Sequence, residues 1–242
     1  MKIENFFIRD FYDQFSVQLG KNGYNQRIYS IYKWLIKFGV KPNYNVLEVG
    51  CGPGQSTVNF TKLIRTGKIV GVDISSENIK MAKELHKNNS DTEFIVSDMT
   101  DFTHHLKFDV ICLPDVLEHI LIEQHHNLFK VLRSVLKDDG KVIIHIPDPE
   151  YLEFVRQNEK EKLQITDQPI HTDIIASSLK GTGLRITYLE SYSLETTEND
   201  YQIICLEPND LNRKYVTKPW DRTLKSRIRR RINTILGKES LY

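Results

Sequence analysis

The run of residues 46–54, Val-Leu-Glu-Val-Gly-Cys-Gly-Pro-Gly, constrains the fold of this chain more than any other stretch. Its apolar, β-branched half ends abruptly in three glycines at alternate positions, Gly50, Gly52 and Gly54. This pattern is typical of a buried strand that turns sharply into a helix, and the glycines leave the backbone bare where a ligand can approach. The run therefore predicts a strand, a ligand-binding loop and a helix in succession.

The glycine spacing separates the kinds of nucleotide-binding loop. A dinucleotide fingerprint needs G-x-G-x-x-G, but Gln55 stands where its third glycine would be. No Lys followed by Ser or Thr comes after the glycines, as a phosphate-cradling P-loop requires. An acidic residue, Glu48, precedes the glycines instead. The loop is therefore expected to bind something other than a pyrophosphate.

Strand-like and helix-like runs alternate along the chain. Strands are predicted at residues 45–49, 68–72, 92–96, 108–113, 141–146, 184–192 and 201–206. Helices are predicted at residues 2–20, 24–39, 55–65, 77–87 and 172–180, and a further helix with apolar positions at 128–136 is expected to stop at residues 138–140. Residues 150–170 are expected to be irregular. This rhythm favours an α/β fold, a doubly wound, mostly parallel seven-stranded sheet of Rossmann-like type with the last strand antiparallel.

The composition fits a single α/β domain with additions at its ends. The chain has 242 residues, of which 40% are hydrophobic, so it can bury a substantial core. We divide it into a helical cap (1–40), a central domain (41–210) and a tail (211–242). It has no apolar run near eighteen residues, and its three cysteines are far apart, which predicts buried thiols and a cytoplasmic location.

The tail is electrostatically distinct from the rest of the chain. Residues 211–242 contain ten Lys or Arg and two acidic residues, a net charge of +8; because the whole chain carries +1, residues 1–210 carry −7. Residues 223–236 place apolar side chains at helical steps among the cations, which predicts a basic amphipathic helix. Such a helix can lie on an anionic membrane surface or contact nucleic acid phosphates. It can equally pack on its own domain or on a second subunit, as in a homodimer.

The E-x-G-x-G-x-G pattern that starts at Glu48 resembles motif I of the class I S-adenosylmethionine-dependent methyltransferases, and residues 45–148 resemble their core in motif order. The resemblance implies S-adenosylmethionine (SAM) as the cofactor. It implies that Asp73, at the tip of the second strand, binds the ribose hydroxyls; the other interpretation of Asp73 is a helix cap. It also implies that Asp98 contacts the adenine amino group and Met99 the ring through its backbone amide, unless Asp98 is only a turn residue. The expected cofactor-binding set is Tyr12, Glu48, Gly50, Cys51, Gly52, Gly54, Asp73, Ile74, Asp98, Met99 and Leu113, with Tyr12 closing over the methionine end.

A D-x-x-E-H segment, Asp115 to His119, directly follows the fourth predicted strand. It is similar to E-x-x-E-H segments of ubiquinone-biosynthesis O-methyltransferases and small-RNA 2′-O-methyltransferases, in which these side chains bind a divalent cation. That similarity implies a Mg or Mn site formed by Asp115, Glu118, His119 and His171. The alternative is a metal-free site in which Glu118 helps to organise the cavity and His119 is a base or an orienting group. The expected catalytic residues are His119, Glu118 and His171.

The remaining histidines are expected to have structural roles. Adjacent side chains point to different faces of a helix, so the pairs at 104–105 and 125–126 are expected at the solvated surface. His145, inside the fifth predicted strand, is expected in the core with its polar atoms satisfied.

Together these patterns predict O-methylation of a hydroxyl on a small-molecule or sugar-containing acceptor. The D-x-x-E-H segment supports an oxygen acceptor, and the basic tail supports a place beside membrane-linked glycan assembly. A second hypothesis is RNA 2′-O-methylation, which the charge of −7 over residues 1–210 disfavours. A third is a non-catalytic cofactor-binding subunit that stabilises an active partner.

Overall fold

The computed structural model of this protein describes residues 7–14 and 25–209. Seven strands form one sheet in the order β3-β2-β1-β4-β5-β7-β6. Their bounds are β1 Val46–Val49, β2 Ile69–Asp73, β3 Thr92–Val96, β4 Phe108–Pro114, β5 Leu136–Pro147, β6 Leu184–Tyr192 and β7 Tyr201–Pro208. Strands β1 to β5 pair in parallel, and β7 lies antiparallel to both β5 and β6. The predicted doubly wound α/β sheet is confirmed.

Helices cover both faces of this sheet. They are α1 (residues 7–14), α2 Gln26–Lys37, α3 Thr57–Leu63, α4 Ser76–Leu85, α5 Ile122–Val135, α6 Pro149–Asn158 and α7 Thr172–Leu179, with short 3-10 helices at Leu117–His119 and Lys160–Lys162. Strand β1 shows why the fold needs both layers: every residue in it is buried, Val46 in the core beside α2 and α3 and Leu47 in the core beside α5 and α7. A parallel strand buried on both faces is a continuous apolar run in sequence.

Helix α5 ends earlier than the sequence predicts. It stops at Val135, and Leu136 already pairs with Phe108 of β4. The stop expected at residues 138–140 is instead an irregularity within β5, because the next pair in the register joins Val110 to Lys141. A Cβ at Gly140 would lie 2.7 Å from the Leu136 side chain, so the close return of the strand explains this glycine.

Part of the region expected to be irregular is helix α6. Asp148 accepts a hydrogen bond from the backbone N of Glu150, and Pro149 occupies the first turn. An Asp cap followed by Pro is a recognised helix start, so the signal was present in the sequence. Helix α6 forms one wall of the cavity described below.

The described residues belong to one compact unit. Within this part of the chain, no helix is long and apolar enough to cross a membrane. The basic tail predicted at 211–242, including its amphipathic helix, lies outside the described residues.

Candidate active site

A cavity of about 440 Å³ lies at the carboxyl ends of the central strands. The chain changes direction there, with β1 and β4 adjacent in the sheet but separated by β2 and β3 in sequence. Such switch points are where open α/β sheets bind ligands. The lining includes most of the residues expected from the sequence, namely Tyr12, Gly50, Cys51, Gly52, Asp73, Ile74, Asp98, Met99, Asp115, Glu118 and His119.

The glycine loop follows β1 and borders the cavity. Gly50, with φ of +72°, has no room for a side chain because a Cβ would overlap Val116. A Cβ added at Gly52, where φ is +51°, would meet no atom within 4 Å. The backbone of Gly52 therefore borders open space at the cavity wall. Gly54 faces elsewhere: a Cβ there would lie 3.0 Å from the His86 ring, and the Gly54 carbonyl bonds the Nε2 atom of His86 at 2.8 Å. Gly54 thus packs the loop on α4 and does not line the cavity.

Glu48 lies beneath the loop and does not line the cavity either. Its side chain is fully buried and accepts hydrogen bonds from the hydroxyls of Ser56 and Thr57. Burial raises the pKa of Glu48 to about 7, against the opposite effect of the two hydroxyls. The expectation of direct cofactor contact is therefore corrected: Glu48 joins β1 to the start of α3 and so shapes the loop.

Asp73 is held in place by the chain around it. Its Oδ2 accepts from the backbone N of Gly52 at 2.8 Å, and its Oδ1 accepts from Ser75 N and Asn78 Nδ2. Burial raises the pKa of Asp73, while these hydrogen bonds lower it. Ser75, not Asp73, caps α4 by accepting from the backbone N of Asn78. The Asp73 carboxylate is therefore oriented at the cavity wall without serving as the cap.

Asp98 and Met99 line the cavity beyond β3. Asp98 accepts from the backbone N and the hydroxyl of Thr100, at 3.0 and 2.7 Å, so it also stabilises a turn. Met99 has φ of +60°, a region that non-glycine residues rarely occupy and that costs of the order of 1–3 kcal/mol. Leu113, expected beside them, is fully buried in the core between the sheet and α5 and does not reach the cavity.

Helix α1 bridges the mouth of the cavity. The Tyr12 hydroxyl donates to Gln164 Oε1 at 3.2 Å, while the Asp13 carboxylate accepts from Ser75 Oγ at 2.5 Å. The Tyr12 ring centroid lies 6.1 Å from that of His119. Burial, followed by the charge of Glu118, raises the pKa of Tyr12, so its hydroxyl stays protonated. Tyr12 therefore lines the cavity beside His119.

The Asp115 carboxylate is engaged by His145 and Arg27. Its Oδ1 bonds His145 Nδ1 at 2.6 Å, and its Oδ2 lies 3.5 Å from the Arg27 guanidinium. Burial alone would raise the pKa of Asp115, but His145 and then Arg27 outweigh burial and lower it. The backbone at Asp115 has φ of +52°. His145 is fully buried and also bonds the Tyr192 hydroxyl at 2.7 Å, which confirms it as a satisfied core histidine.

Glu118, His119 and Asp167 form an acid–imidazole cluster in the cavity wall. The Nδ1 atom of His119 lies 2.9 Å from Asp167 Oδ1, in an ion pair whose angles are not those of a hydrogen bond. The Nε2 atom of His119 lies 3.8 Å from Glu118 Oε1. Burial would lower the pKa of His119, but Glu118 and Asp167 outweigh burial and raise it. Burial raises the pKa of Glu118 to about 8, with His119 opposing and Asp115 adding to the rise.

Asp167 was missed at the sequence level. It belongs to the segment between α6 and α7, 48 positions after His119 in the printed sequence, and no spacing rule connects the two. Burial would raise the pKa of Asp167, but its contact with His119 outweighs burial and lowers it. The carboxylate is therefore ionised beside the imidazole.

The expected metal-ligand set is not brought together. His171 does not line the cavity; its Nε2 bonds Glu153 Oε1 at 2.8 Å, and its side chain is 40% exposed. Asp115 faces His145 and Arg27, as described above. Across residues 7–14 and 25–209, no group of three His, Cys, Asp or Glu side chains is placed to share an ion. The four-ligand Mg or Mn site and the catalytic role of His171 therefore lack the convergence that they need.

His125 supports the segment that carries Glu118 and His119. It is fully buried, and its Nε2 bonds the carbonyls of Ile120 and Leu117 at 2.8 and 3.2 Å. The expectation that it is solvated is wrong, because it lies on the face of α5 that carries Leu128, three residues later. That helical spacing was available in the sequence. Burial lowers the pKa of His125, so the ring is neutral and donates through Nε2.

The fold and the cavity thus define an α/β domain with a cavity at the carboxyl edge of a doubly wound sheet, beside a partly buried acid–imidazole cluster. Residues 40–203 match the family described as a methyltransferase domain. This match covers more than half of the chain, and the chain belongs to that family, among the class I SAM-dependent methyltransferases.

Individual relatives differ widely in the acceptor that their names state. The chain is 34% identical over 104 residues to malonyl-[acyl-carrier protein] O-methyltransferase 1 of Ilyobacter polytropus, covering 43% of this chain and 38% of that protein. It is 27% identical over 132 residues to ribosomal RNA large subunit methyltransferase E of Nitrosopumilus maritimus, covering 51% and 67%. Five curated relatives are matched over only 25% to 40% of their own length. Similarity in sequence therefore supports methyl transfer and leaves the acceptor open.

A solved structure shows the same fold. Magnesium protoporphyrin IX methyltransferase from Synechocystis PCC 6803, with bound SAH, superposes with a TM-score of 0.67 at 18% identity, covering 84% of this chain and 99% of that one. At this identity the likeness shows the fold alone.

Proposed function

We propose that this protein transfers a methyl group from SAM to a hydroxyl oxygen of a small-molecule or sugar-containing acceptor. The observation that carries the proposal is the position of His119 in the cavity wall, with Asp167 at one ring nitrogen and Glu118 near the other. A hydroxyl oxygen must lose its proton when it is methylated, and an imidazole is the side chain best suited to accept that proton near neutral pH.

The half of the cavity next to the glycine loop fits the cofactor. The open space at Gly52 leaves room for a ligand against the backbone, and the oriented carboxylate of Asp73 suits a pair of ribose hydroxyls. Asp98 and the backbone of Met99 would contact the adenine, and Tyr12 would cover the methionine end. When bound, SAM supplies a methyl group on a sulfonium, which needs no metal for activation.

Each residue of the acid–imidazole cluster has its own role in proton transfer. Asp167 faces Nδ1 of His119 and orients the ring, which leaves Nε2 as the atom that takes the proton of the acceptor hydroxyl. The charged carboxylate of Asp167 then stabilises the imidazolium. Burial raises the pKa of Glu118, which favours its protonated form, and its Oε2, which has no hydrogen-bond partner among the described residues, is available as a donor or acceptor.

The chain also encloses the reaction. Helix α1 joins Ser75 on one side of the cavity to Gln164 on the other through Asp13 and Tyr12. Enclosure excludes water and holds two reactants in one orientation, which can contribute much of the rate of a displacement reaction.

RNA 2′-O-methylation is the second candidate, supported by the ribosomal RNA methyltransferase among the relatives. It also uses a hydroxyl acceptor, so the same His119 chemistry would serve. The charge of −7 over residues 1–210 weakens it, because a broad RNA surface needs excess cations.

The test is transfer of labelled methyl from SAM into an extract of the source cells, separated into nucleotide sugars, lipid-linked material, RNA and protein, with and without a chelator. We expect label in a sugar-containing or other small-molecule fraction, unaffected by chelator, with mass spectrometry placing the methyl on oxygen. Label in RNA would support the second candidate, and loss of label with chelator would restore a metal role. No label despite measured SAM binding would favour a non-catalytic subunit.

A further inference from the structure

A second concave surface adjoins the cavity, and we name it the outer groove. Its lining comes from Asp148 and the first turns of α6, the end of β6 and the following loop, Gln202 of β7 and the start of α7. The residues are Asp148, Pro149, Glu150, Tyr151, Phe154, His171, Thr172, Ser191, Thr196, Thr197, Glu198, Asn199 and Gln202. Its volume is about 770 Å³, within the range of roughly 300–1,000 Å³ that is usual for small-molecule sites. Its size therefore suits a ligand.

The outer groove and the cavity meet at one side chain. Tyr151 lines both. The loop between β6 and β7 also borders both, with Glu195 on the cavity and Thr196 on the groove. An acceptor whose reacting end occupies the cavity can therefore extend past Tyr151 into the groove.

The polar lining of the groove fits a ligand rich in hydroxyl groups. Three carboxylates (Asp148, Glu150, Glu198), together with hydroxyls and amides, offer many hydrogen-bond acceptors. The amide of Gln202, which is 4% exposed, donates to Ser191, and its Oε1 has no hydrogen-bond partner among the described residues. Such a buried acceptor is costly unless a donor reaches it.

The groove also presents an apolar ring and little positive charge. Phe154 is 52% exposed, although a large aromatic side chain usually contributes stability by being buried. His171 in the lining bonds Glu153 Oε1 through its Nε2. Carboxylates beside an exposed ring disfavour phosphate-rich ligands and suit a sugar, which has hydroxyl donors at its edges and C–H groups on its faces.

We infer that the outer groove is an acceptor subsite that binds a saccharide unit next to the one that is methylated. This inference rests on the proposed O-methylation, because it takes the acceptor to enter the cavity through its sugar hydroxyl. It narrows the acceptor class to an oligosaccharide or glycoside.

The test starts from binding. Full-length protein loaded with S-adenosylhomocysteine is applied to a printed array of monosaccharides and oligosaccharides. We expect oligosaccharides to be retained over monosaccharides, with retention reduced about tenfold by Phe154→Ala or Glu198→Ala. Two matched controls, Tyr29→Ala on α2 and Glu84→Ala on α4, remove an exposed ring and an exposed carboxylate outside the groove and should leave retention unchanged.

Amide hydrogen exchange then locates the bound oligosaccharide. We expect protection at residues 148–154 and 191–202. Retention of no saccharide by protein that still binds SAM would overturn the inference, and so would saccharide binding without protection there, or preferential binding of a basic peptide.

The inference and the proposed function can fail separately. If a retained oligosaccharide protects the groove but accepts no labelled methyl from SAM, the inference about the groove is supported and the proposed O-methylation of sugars is contradicted. If labelled methyl reaches a hydroxyl acceptor at a rate that neither groove variant changes, the proposed function stands and the groove inference fails.

Discussion

At the scale of single residues, the two acidic side chains of the D-x-x-E-H segment have different neighbours. Asp115 contacts His145 and Arg27, whereas Glu118 faces His119. The second carboxylate at the imidazole comes from Asp167, outside the segment. The segment thus contributes Glu118 and His119 to the acid–imidazole cluster, and the insert between α6 and α7 contributes Asp167.

His119→Ala should lower kcat by about 10²- to 10⁴-fold, the usual contribution of a positioned general base. SAM affinity should change little, since the glycine loop and Asp73 are untouched. Labelled methyl transfer and calorimetric SAM binding measure the two effects. His105→Ala, at an exposed histidine outside the cavity, is the control. A His119→Ala enzyme with nearly full activity would contradict the assignment of the base.

Asp167→Asn should shift the acidic limb of the kcat/KM profile to lower pH. The base must be neutral to accept a proton, and Asp167 raises the pKa of His119. Removing that charge lowers the pKa, so the neutral form appears at lower pH. A pH–rate profile of both enzymes measures the shift, and an unchanged or higher limb would show that His119 does not control it.

At the scale of elements, the strand–loop–helix unit at β1 depends on how closely the loop approaches its neighbours. Gly50 approaches Val116, which directly follows Asp115 in the chain, so the loop and the D-x-x-E-H segment are in contact. Glu48 ties the same unit together from below through Ser56 and Thr57. A side chain added at Gly50 would therefore displace Val116, within the D-x-x-E-H segment.

Gly50→Ala should destabilise the fold by about 1–3 kcal/mol and weaken SAM binding at least about tenfold. The reasons are backbone strain at φ of +72° and overlap of the new Cβ with Val116. Gly39→Ala is the control: its φ is +76°, but a Cβ there meets nothing within 4 Å. It should show the strain alone, with normal SAM affinity. Urea unfolding and calorimetry measure both, and equal SAM affinities would argue against the clash.

At the scale of the whole molecule, buried acids make stability depend on pH. The pKa of Glu118 is raised from 4.5 to about 8 and that of Glu48 to about 7. A raised pKa means that the folded state holds the proton more tightly, so this stabilisation is complete below the ordinary pKa and is lost as pH rises to about 8. Asp115 and Asp167, whose pKa values are lowered, act in the opposite sense, in the acidic range.

The free energy of unfolding should therefore fall between about pH 5 and about pH 8. Glu118→Gln imitates the protonated acid and should reduce the slope of the free energy of unfolding against pH. Denaturant unfolding at several pH values measures it. A slope that is identical in the variant would show that Glu118 does not ionise in this range.

The basic tail should bind anionic membranes. Full-length protein should sediment with anionic liposomes more than a version of the chain that ends at residue 210, and added salt should weaken the difference because the interaction is electrostatic. Equal sedimentation of the two proteins would contradict peripheral membrane contact.

The amino-acid sequence by itself determined the sheet, the loop and much of the cofactor side of the cavity. Buried parallel strands are continuous apolar runs, and tight turns need glycine, so β1, the loop and the neighbouring Asp73 follow from local pattern. Asp98 and Met99 follow from the strand that precedes them. These features depend on residues close together in the chain.

Only the tertiary structure decided which side chains meet. The family resemblance placed Glu48, Gly54 and Leu113 in the cofactor-binding set. Packing instead makes Glu48 a support of the loop, Gly54 a contact of α4 and Leu113 part of the core. It separates His171 from the D-x-x-E-H segment and brings in Asp167. The physical reason is that side-chain direction and pairing depend on segments that are distant in sequence, and α6, α7 and their connection are positioned by packing on the whole sheet.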